Sequence, residues 1–150
     1  MINIFIDEYA FLSNMYECEI EYNGITYPST ENAYQAQKTL SNKERLYISE
    51  LTPRKSKTYS RKLDIRSDWD NIKYYIMRDL IELKFKHEYL MNMLILTGDE
   101  MIVECNTWND KYWGVCLKTN IEQNNLGKLL MLERDKHKEF SLFNILKVTN

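Results

Sequence analysis

Glu31, Tyr34, Gln35 and Lys38 stand three and four residues apart within Pro28-Ser29-Thr30-Glu31-Asn32-Ala33-Tyr34-Gln35-Ala36-Gln37-Lys38. On a helix that spacing puts a carboxylate, a phenol, an amide and an amine on one face. A carboxylate can move a proton or stabilise positive charge, and an amine can attack a carbonyl carbon. The plainer reading has Glu31 balancing the helix dipole and Lys38 extending into water. A second stretch with chemical potential is Cys105-Asn106-Thr107-Trp108-Asn109-Asp110-Lys111-Tyr112-Trp113-Gly114, which carries two tryptophans, a tyrosine and Asp110. An aromatic, amide-rich loop after a strand suits a flat heteroaromatic ring, or it simply covers the core. Lys73 and Lys84 share a stripe with Met77 and Leu80; such amines either snorkel to water or become partly desolvated and reactive.

The elements that must position these groups are legible in outline. Ser29 is an N-cap for a helix opening at Thr30. Before it, Cys18 to Tyr22 and Ile25 to Tyr27 flank Asn23-Gly24, a hairpin signal because both residues tolerate positive φ. This hairpin ends at Pro28 and fixes where Glu31 points. Ile2, Ile4 and Ile6 alternate as a short strand, and Asp7 to Tyr16 reads as a loop that presents Ser13 or Asn14. Helices are expected over Asn42 to Leu51 and Arg54 to Leu63, with Pro53 between them. The longest helix is expected over Asp68 to Lys86, opened by Ser67 and Asp70 as a capping box, with Trp69, Ile72, Ile76, Leu80 and Leu83 as its apolar stripe. A helix from Tyr89 to Leu96 stops at Gly98. Met101 to Glu104 reads as a buried strand, and Asn124-Asn125-Leu126-Gly127 leads into a last helix whose first amides could receive a phosphate. The segment Phe140 to Val148 is apolar enough to pack back on the domain.

The 150 residues fit one domain, 1–150, of an α+β, mainly helical class with a short N-terminal hairpin and a small sheet. A formal charge of −2 disfavours a protein that grips nucleic acid by its overall field. Arg54, Lys55, Lys57, Arg61, Lys62 and Arg66 nevertheless crowd one segment, as a solvated surface or a local phosphate site. Cys18, Cys105 and Cys116 lack metal or redox spacing and read as reduced, buried thiols of a cytoplasmic protein. His87 and His137 are unpaired, so no metal site is expected. No apolar run is long enough to span a bilayer, and the N-terminus lacks a signal-peptide layout.

Taken in order, several pieces resemble the NADAR, or YbiA-like, N-glycosidase family. They are Phe11-Leu12-Ser13-Asn14, Tyr27 through Lys38, Arg66-Ser67-Asp68-Trp69-Asp70 with Lys73 and Met77, and Leu83-Lys84-Phe85. Further on come Thr97-Gly98-Asp99, Ile102-Val103-Glu104, Asn109-Asp110 with Trp113-Gly114, and Asn125 through Met131 with Arg134. The resemblance spans about residues 11–134 and leaves an apolar tail, 135–150, outside it. Val115-Cys116, Gln123 and Ser60 depart from the family's more glycine-rich pattern.

The resemblance implies a YbiA-like α+β domain and a hydrolase acting on N-glycosyl bonds, with no cofactor. Its substrates would be ribosylaminopyrimidine phosphates, intermediates of riboflavin synthesis, or ADP-ribosylated guanine in DNA. Glu31, Trp69 and Asp110 correspond to the family's catalytic positions. Glu31 would sit nearest the anomeric carbon, Asp110 would complement it, and Trp69 and Trp113 would stack on the base or close the pocket. Arg66, with Lys73 or Arg61, would hold the sugar phosphate. Asn14, Lys84, Gly114 and Asn125 complete the expected substrate contacts. A second chemistry would use Lys38, or Lys84, as an amine attacking the opened sugar aldehyde. A different class of function is a non-catalytic module that binds ADP-ribose or modified nucleic acid.

Overall fold

The computed structural model describes the backbone of residues 1–119 and 121–148, and the side chains of residues 1–119 and 123–138. The chain packs as two units, Ser13–Lys84 on one hand and Met1–Leu12 with Phe85–Asn150 on the other. The architecture is α+β and mainly helical, with an antiparallel hairpin and a small three-stranded sheet. No described helix is long and apolar enough to cross a membrane.

In Ser13–Lys84 the hairpin forms as the sequence suggests. Strands β1 (Glu17–Tyr22) and β2 (Ile25–Ser29) pair antiparallel, and Asn23 and Gly24 both take positive φ, 52° and 77°. Cys18 and Ile20 alternate with exposed glutamates along β1, so one face is buried and the other wet. Strand β2 continues through Pro28 to Ser29, one residue beyond the expected end, and Ser29 is at once the last strand residue and the cap of the next helix.

Helix α1 (Thr30–Ala36) is buried at every residue. The Ser29 hydroxyl accepts from the Asn32 amide at 3.1 Å and donates to Asn32 Oδ1 at 2.6 Å. Asn32 Nδ2 in turn donates to the carbonyls of Ile48 and Leu51, at 2.9 and 2.7 Å. One asparagine therefore ties α1 to the C-terminal end of the neighbouring helix α2 (Asn42–Ser49) and to the turn that follows it, where the Ile48 carbonyl also accepts the Leu51 amide at 3.2 Å. Helix α3 (Pro53–Tyr59) starts with Pro53 under a Thr52 cap and tightens into a 3-10 turn over Ser60–Lys62. Around α1 pack α2, α3, the hairpin and α4 (Trp69–Lys84).

The buried side of α4 is rotated from the expected stripe. Trp69, Ile76, Met77, Leu80, Ile81 and Lys84 are buried, whereas Ile72 and Leu83 are only half-buried. The stripe containing the lysines is the core-facing one, because Met77 and Ile81 complete it at helical spacing. Nor is α4 the longest helix, since α6 (Asn125–Val148) is longer by eight residues, 24 against 16.

In the other unit, α5 (Glu88–Leu96) ends near Gly98, which takes φ 63° as expected. The expected N-terminal strand and the expected Met101 to Glu104 strand shrink to one parallel bridge between Ile2 and Ile102. Ile4 and Ile6 are exposed, so the alternation there does not reflect burial. Residues Asp7–Leu12 form a 3-10 turn that buries Phe11 and Leu12, and the Phe11 ring meets Phe85 edge-on at 6.5 Å. The sheet joins β3 (Cys105–Asn106), β4 (Val115–Cys116) and β5 (Ile121–Glu122), so the strand begins where the expected Met101 to Glu104 segment stops. The apolar stretch Phe140 to Val148 is a continuation of α6; its packing lies outside the described side chains. All three cysteines are free, with Cys18 and Cys116 buried but Cys105 only half-buried.

Candidate active site

Glu31 sits in the first turn of α1, where the helix dipole favours a carboxylate, yet it is only 6% exposed. Its amide donates to the Asn14 carbonyl at 2.9 Å, which ties the start of the helix to the loop after Leu12. One side-chain oxygen, Oε1, accepts from Gln35 Nε2 at 2.8 Å, the i,i+4 partner one turn along. The Asn14 side chain donates to Met77 Sδ at 3.6 Å, while Asn14 Oδ1 is buried and has no hydrogen-bond partner among the described residues.

Lys38 differs from its expected setting. Helix α1 ends at Ala36, so Lys38 lies in the following turn, not two full turns along the same face. It nevertheless stays near Glu31, because the turn folds its amine over the rings of Tyr34 and Trp69, at 5.8 and 5.9 Å from their centroids. Those two rings pack at 5.0 Å with a 56° tilt. Burial holds the Lys38 amine below the ordinary lysine range; Glu31 opposes that shift, and Lys57 and Lys73 reinforce it. Trp69 retains 8% of its surface, so its main faces are already occupied by this arrangement. It reads as the platform under Lys38 more than as an open stacking surface for a base.

Arg66 donates through its backbone amide to the Lys38 carbonyl at 2.8 Å, and its guanidinium grips Asp68 through Nε and Nη2 at 2.6 and 2.9 Å. Two of its nitrogens are thus engaged by a carboxylate. Lys73 pairs with Asp70 at 2.8 Å, and Arg61 is exposed on the 3-10 turn after α3. Of the basic cluster, Arg54, Lys55 and Lys62 line a cavity of about 370 Å³ with Tyr47, Leu51, Thr58 and Tyr59. The Tyr47 and Tyr59 rings pack at 4.8 Å there.

Lys84 does not snorkel. It is fully buried, and its Nζ donates to the Ser13 carbonyl at 2.8 Å and lies 5.8 Å from the centre of the Tyr16 ring. Burial pushes the amine down to about 8, with Cys18 opposing the shift, while burial pushes the Cys18 thiol up. Ser13 and Asn14 are therefore held at adjacent carbonyls, one by the Lys84 amine and the other by the Glu31 amide.

The Asp110 loop, in the other unit, uses its polar groups differently. Asp110 Oδ1 accepts the amides of Tyr112 and Trp113 at 3.1 and 2.9 Å. The Asn106 side chain clasps the Asp110 backbone twice, at 2.7 and 3.0 Å. Trp113 meets Tyr112 edge-on at 4.8 Å. Gly114 is dictated by contact, since a Cβ there would stand 2.2 Å from the Glu104 carbonyl oxygen. The amides of Asn125 and Leu126 donate to the carbonyls of Tyr112 and Trp113, at 3.3 and 3.0 Å. Those first amides of α6, expected as a phosphate receptor, instead hold the loop. Asn124 adds a further clasp, accepting from the Glu104 amide and donating to the Ile102 carbonyl.

Within Ser13–Lys84 the fold gathers Glu31, Lys38 and Trp69, with Asn14 bonded at Glu31 and Lys73 in electrostatic range of Lys38. Asp110, Trp113, Gly114 and Asn125 form a separately held group in the second unit. Residues that a reading of the sequence passes over are Asn32, Asn106 and Asn124, whose side chains act on backbone distant in sequence and so leave no local pattern. Gln35 carries a local signal, its i+4 relation to Glu31.

The NADAR domain model matches residues 4–137. The chain is 33% identical over 135 residues to the N-glycosidase Npun_R5314 of Nostoc punctiforme, covering 85% of each. It is 34% identical over 136 residues to the N-glycosidase YbiA of Escherichia coli, covering 87% of this chain and 82% of that one. The riboflavin biosynthesis protein VVA0006 of Vibrio vulnificus is 31% identical over 147 residues, which is 94% of this chain and 39% of that larger protein. The NMR structure of E. coli YbiA superposes with a TM-score of 0.82 at 32% identity, covering 94% of this chain and 86% of that one. The Glu31 segment, the Lys38 turn and the clasped Asp110 loop all fall inside the matched region, and the chain belongs to the NADAR family.

Proposed function

We propose that this chain is an N-glycosidase that hydrolyses the bond between ribose and the nitrogen of a base. The observation that carries the reading is the pairing of a buried carboxylate, Glu31, with a partly buried amine, Lys38, over the Tyr34–Trp69 platform. Relatives named N-glycosidase and riboflavin biosynthesis protein support it. The substrate class is a small ribosylamine, foremost a ribosylaminopyrimidine phosphate. ADP-ribosylated guanine in DNA is the second candidate, and the basic cavity beside Tyr47 and Tyr59 supports a local anionic contact.

Cleavage at an anomeric carbon passes through an oxocarbenium-like state, which a carboxylate stabilises while the leaving nitrogen takes a proton. Glu31 fills that role, activating water or protonating the base. Lys38 offers a second route. Once the sugar ring opens, C1 is bonded to the base nitrogen as an iminium, and the neutral Lys38 amine attacks it. The C–N bond to the base breaks as its nitrogen takes a proton, leaving a Lys38–sugar imine that water hydrolyses to free sugar and amine. The downward shift of the Lys38 amine favours this route, because only the neutral amine is nucleophilic. Trp69 positions Lys38, and Arg66, Arg61 and Lys73 supply cationic groups for a phosphate.

The test is base release by chromatography from both substrates, with wild type, Glu31→Gln and Lys38→Met in parallel and borohydride added to trap an imine. Release lost in Glu31→Gln supports the carboxylate role, and a trapped sugar adduct on wild type but not on Lys38→Met supports the imine route. Bound ligand with no release from either substrate would support a binding module instead.

A further inference from the structure

Gln35 is 4% exposed and directs its amide nitrogen to Glu31 Oε1 at 2.8 Å. That contact fixes which way round the amide lies, because a carboxylate oxygen accepts and the amide nitrogen is the group that donates. The amide oxygen, Gln35 Oε1, is then buried with no hydrogen-bond partner among the described residues. Leaving a buried carbonyl unpaired is unfavourable, and a catalytic role or a bound molecule that completes the bonding is one way such a group is accounted for. Its place in the last turn of α1 adds to this, since every residue of α1 is buried and the helix is held by the Ser29 cap and the Asn32 clasp.

We propose that Gln35 is a positioning and specificity residue of the Glu31 site, holding one Glu31 oxygen through its amide N–H and accepting an N–H or O–H of the ligand at Oε1. The inference rests on the glycosidase reading and deepens it. Holding Oε1 leaves Glu31 Oε2 as the oxygen available to the reacting centre. The acceptor selects substrates that carry a donor beside the cleaved bond, either the sugar hydroxyl next to the anomeric carbon or an N–H of the base. An analogue without that donor would leave the carbonyl unpaired in the complex, which is the strong form of discrimination.

The experiment uses the full chain with Gln35→Met and Gln35→Glu, each checked for a cooperative thermal melt. Substrates are the ribosylaminopyrimidine phosphate, its 2-deoxyribosyl analogue and an analogue lacking the base N–H. Gln35→Met is expected to lower kcat by about 10- to 100-fold with a smaller change in KM, the signature of lost orientation. Gln35→Glu places two carboxyl groups face to face, and the pair shares a proton only at lower pH. Its rate relative to wild type is therefore expected to rise as pH falls from 8 to 5.5, a rescue that a merely structural role would not produce.

The analogue lacking the donor should react slowly with wild type and show no further loss with Gln35→Met. Loss confined to the deoxy arm names the sugar hydroxyl, and loss confined to the other arm names the base. A wild-type kcat in Gln35→Met, or a pH-independent Gln35→Glu ratio, would overturn the positioning role. Additive losses in both analogue arms would overturn the acceptor role. Wild type that releases no base from any substrate would overturn the glycosidase reading and this inference with it.

Discussion

Two regions rich in polar side chains treat them in opposite ways. Around Asp110, three polar side chains hold backbone: Oδ1 of Asp110 takes two amides, Asn106 clasps the turn twice, and Asn124 bridges Glu104 and Ile102. Around Glu31, the backbone is held from below by Ser29 and Asn32, and the side chains above it keep unsatisfied capacity at Gln35 Oε1 and Asn14 Oδ1. The first region shapes a loop that lacks regular structure. The second mounts chemically able groups on a rigid helix and leaves acceptors open in a buried setting. Hydrogen-bond accounting thus separates polar groups that build from polar groups that await something, where residue type alone does not.

The sharpest test of this contrast is Glu31→Gln, expected to lower the rate of base release by about 10²- to 10⁴-fold with little change in melting temperature. A large loss of stability with retained activity would reverse the assignment of that region. Asn32→Ala should act oppositely, destabilising by roughly 1–3 kcal/mol in denaturant titration, because two side-chain hydrogen bonds to the carbonyls of Ile48 and Leu51 are lost.

Lys84 gives a pH-resolved version. Its folded value of about 8 lies below that of the unfolded chain, so between about pH 8 and the ordinary lysine range the unfolded chain binds more protons. Stability is expected to rise with pH across that window by at most roughly 3 kcal/mol. The rise should be absent from Lys84→Met in matched melts.

For the loop, Asp110→Ala removes the acceptor for two amides and should cost about 1–3 kcal/mol, whereas Asp110→Asn keeps an Oδ1 and most of the stability. Strong loss of activity in a stable Asp110→Asn protein would show that this carboxylate's charge also serves chemistry, and the two regions would then differ less than their bonding suggests.

The sequence carried those features whose cause is local. The Asn23-Gly24 turn, the Ser29 cap, Pro53 at a helix start and Gly98 beyond a helix end each follow from a residue's own backbone preference. Features set by distant partners were not legible. The alternation of Ile2, Ile4 and Ile6 mimics a strand, but only Ile2 finds a partner, at Ile102. Helix α1 stops before Lys38, so the shared face that the spacing suggested is replaced by a turn that brings the amine back over Tyr34 and Trp69. In the candidate site, Glu31, Lys38 and Trp69 were visible as residue types in a family pattern. Gln35's two-sided bonding and the commitment of Asp110 Oδ1 to the backbone were not visible there, because each depends on the direction of a side chain.

The burial of Lys84 also makes the protein its own reporter of transient opening. A lysine amine held near 8 is substantially neutral at mildly alkaline pH and would acylate readily if reagent reached it, yet the folded chain encloses it completely. Modification at Lys84 therefore requires α4 to part from the Ser13 carbonyl, and its rate counts those openings. Lys38, half-buried, can be reached without such an event. The ratio of labelling at the two amines measures, in one sample, how often this packing lets go.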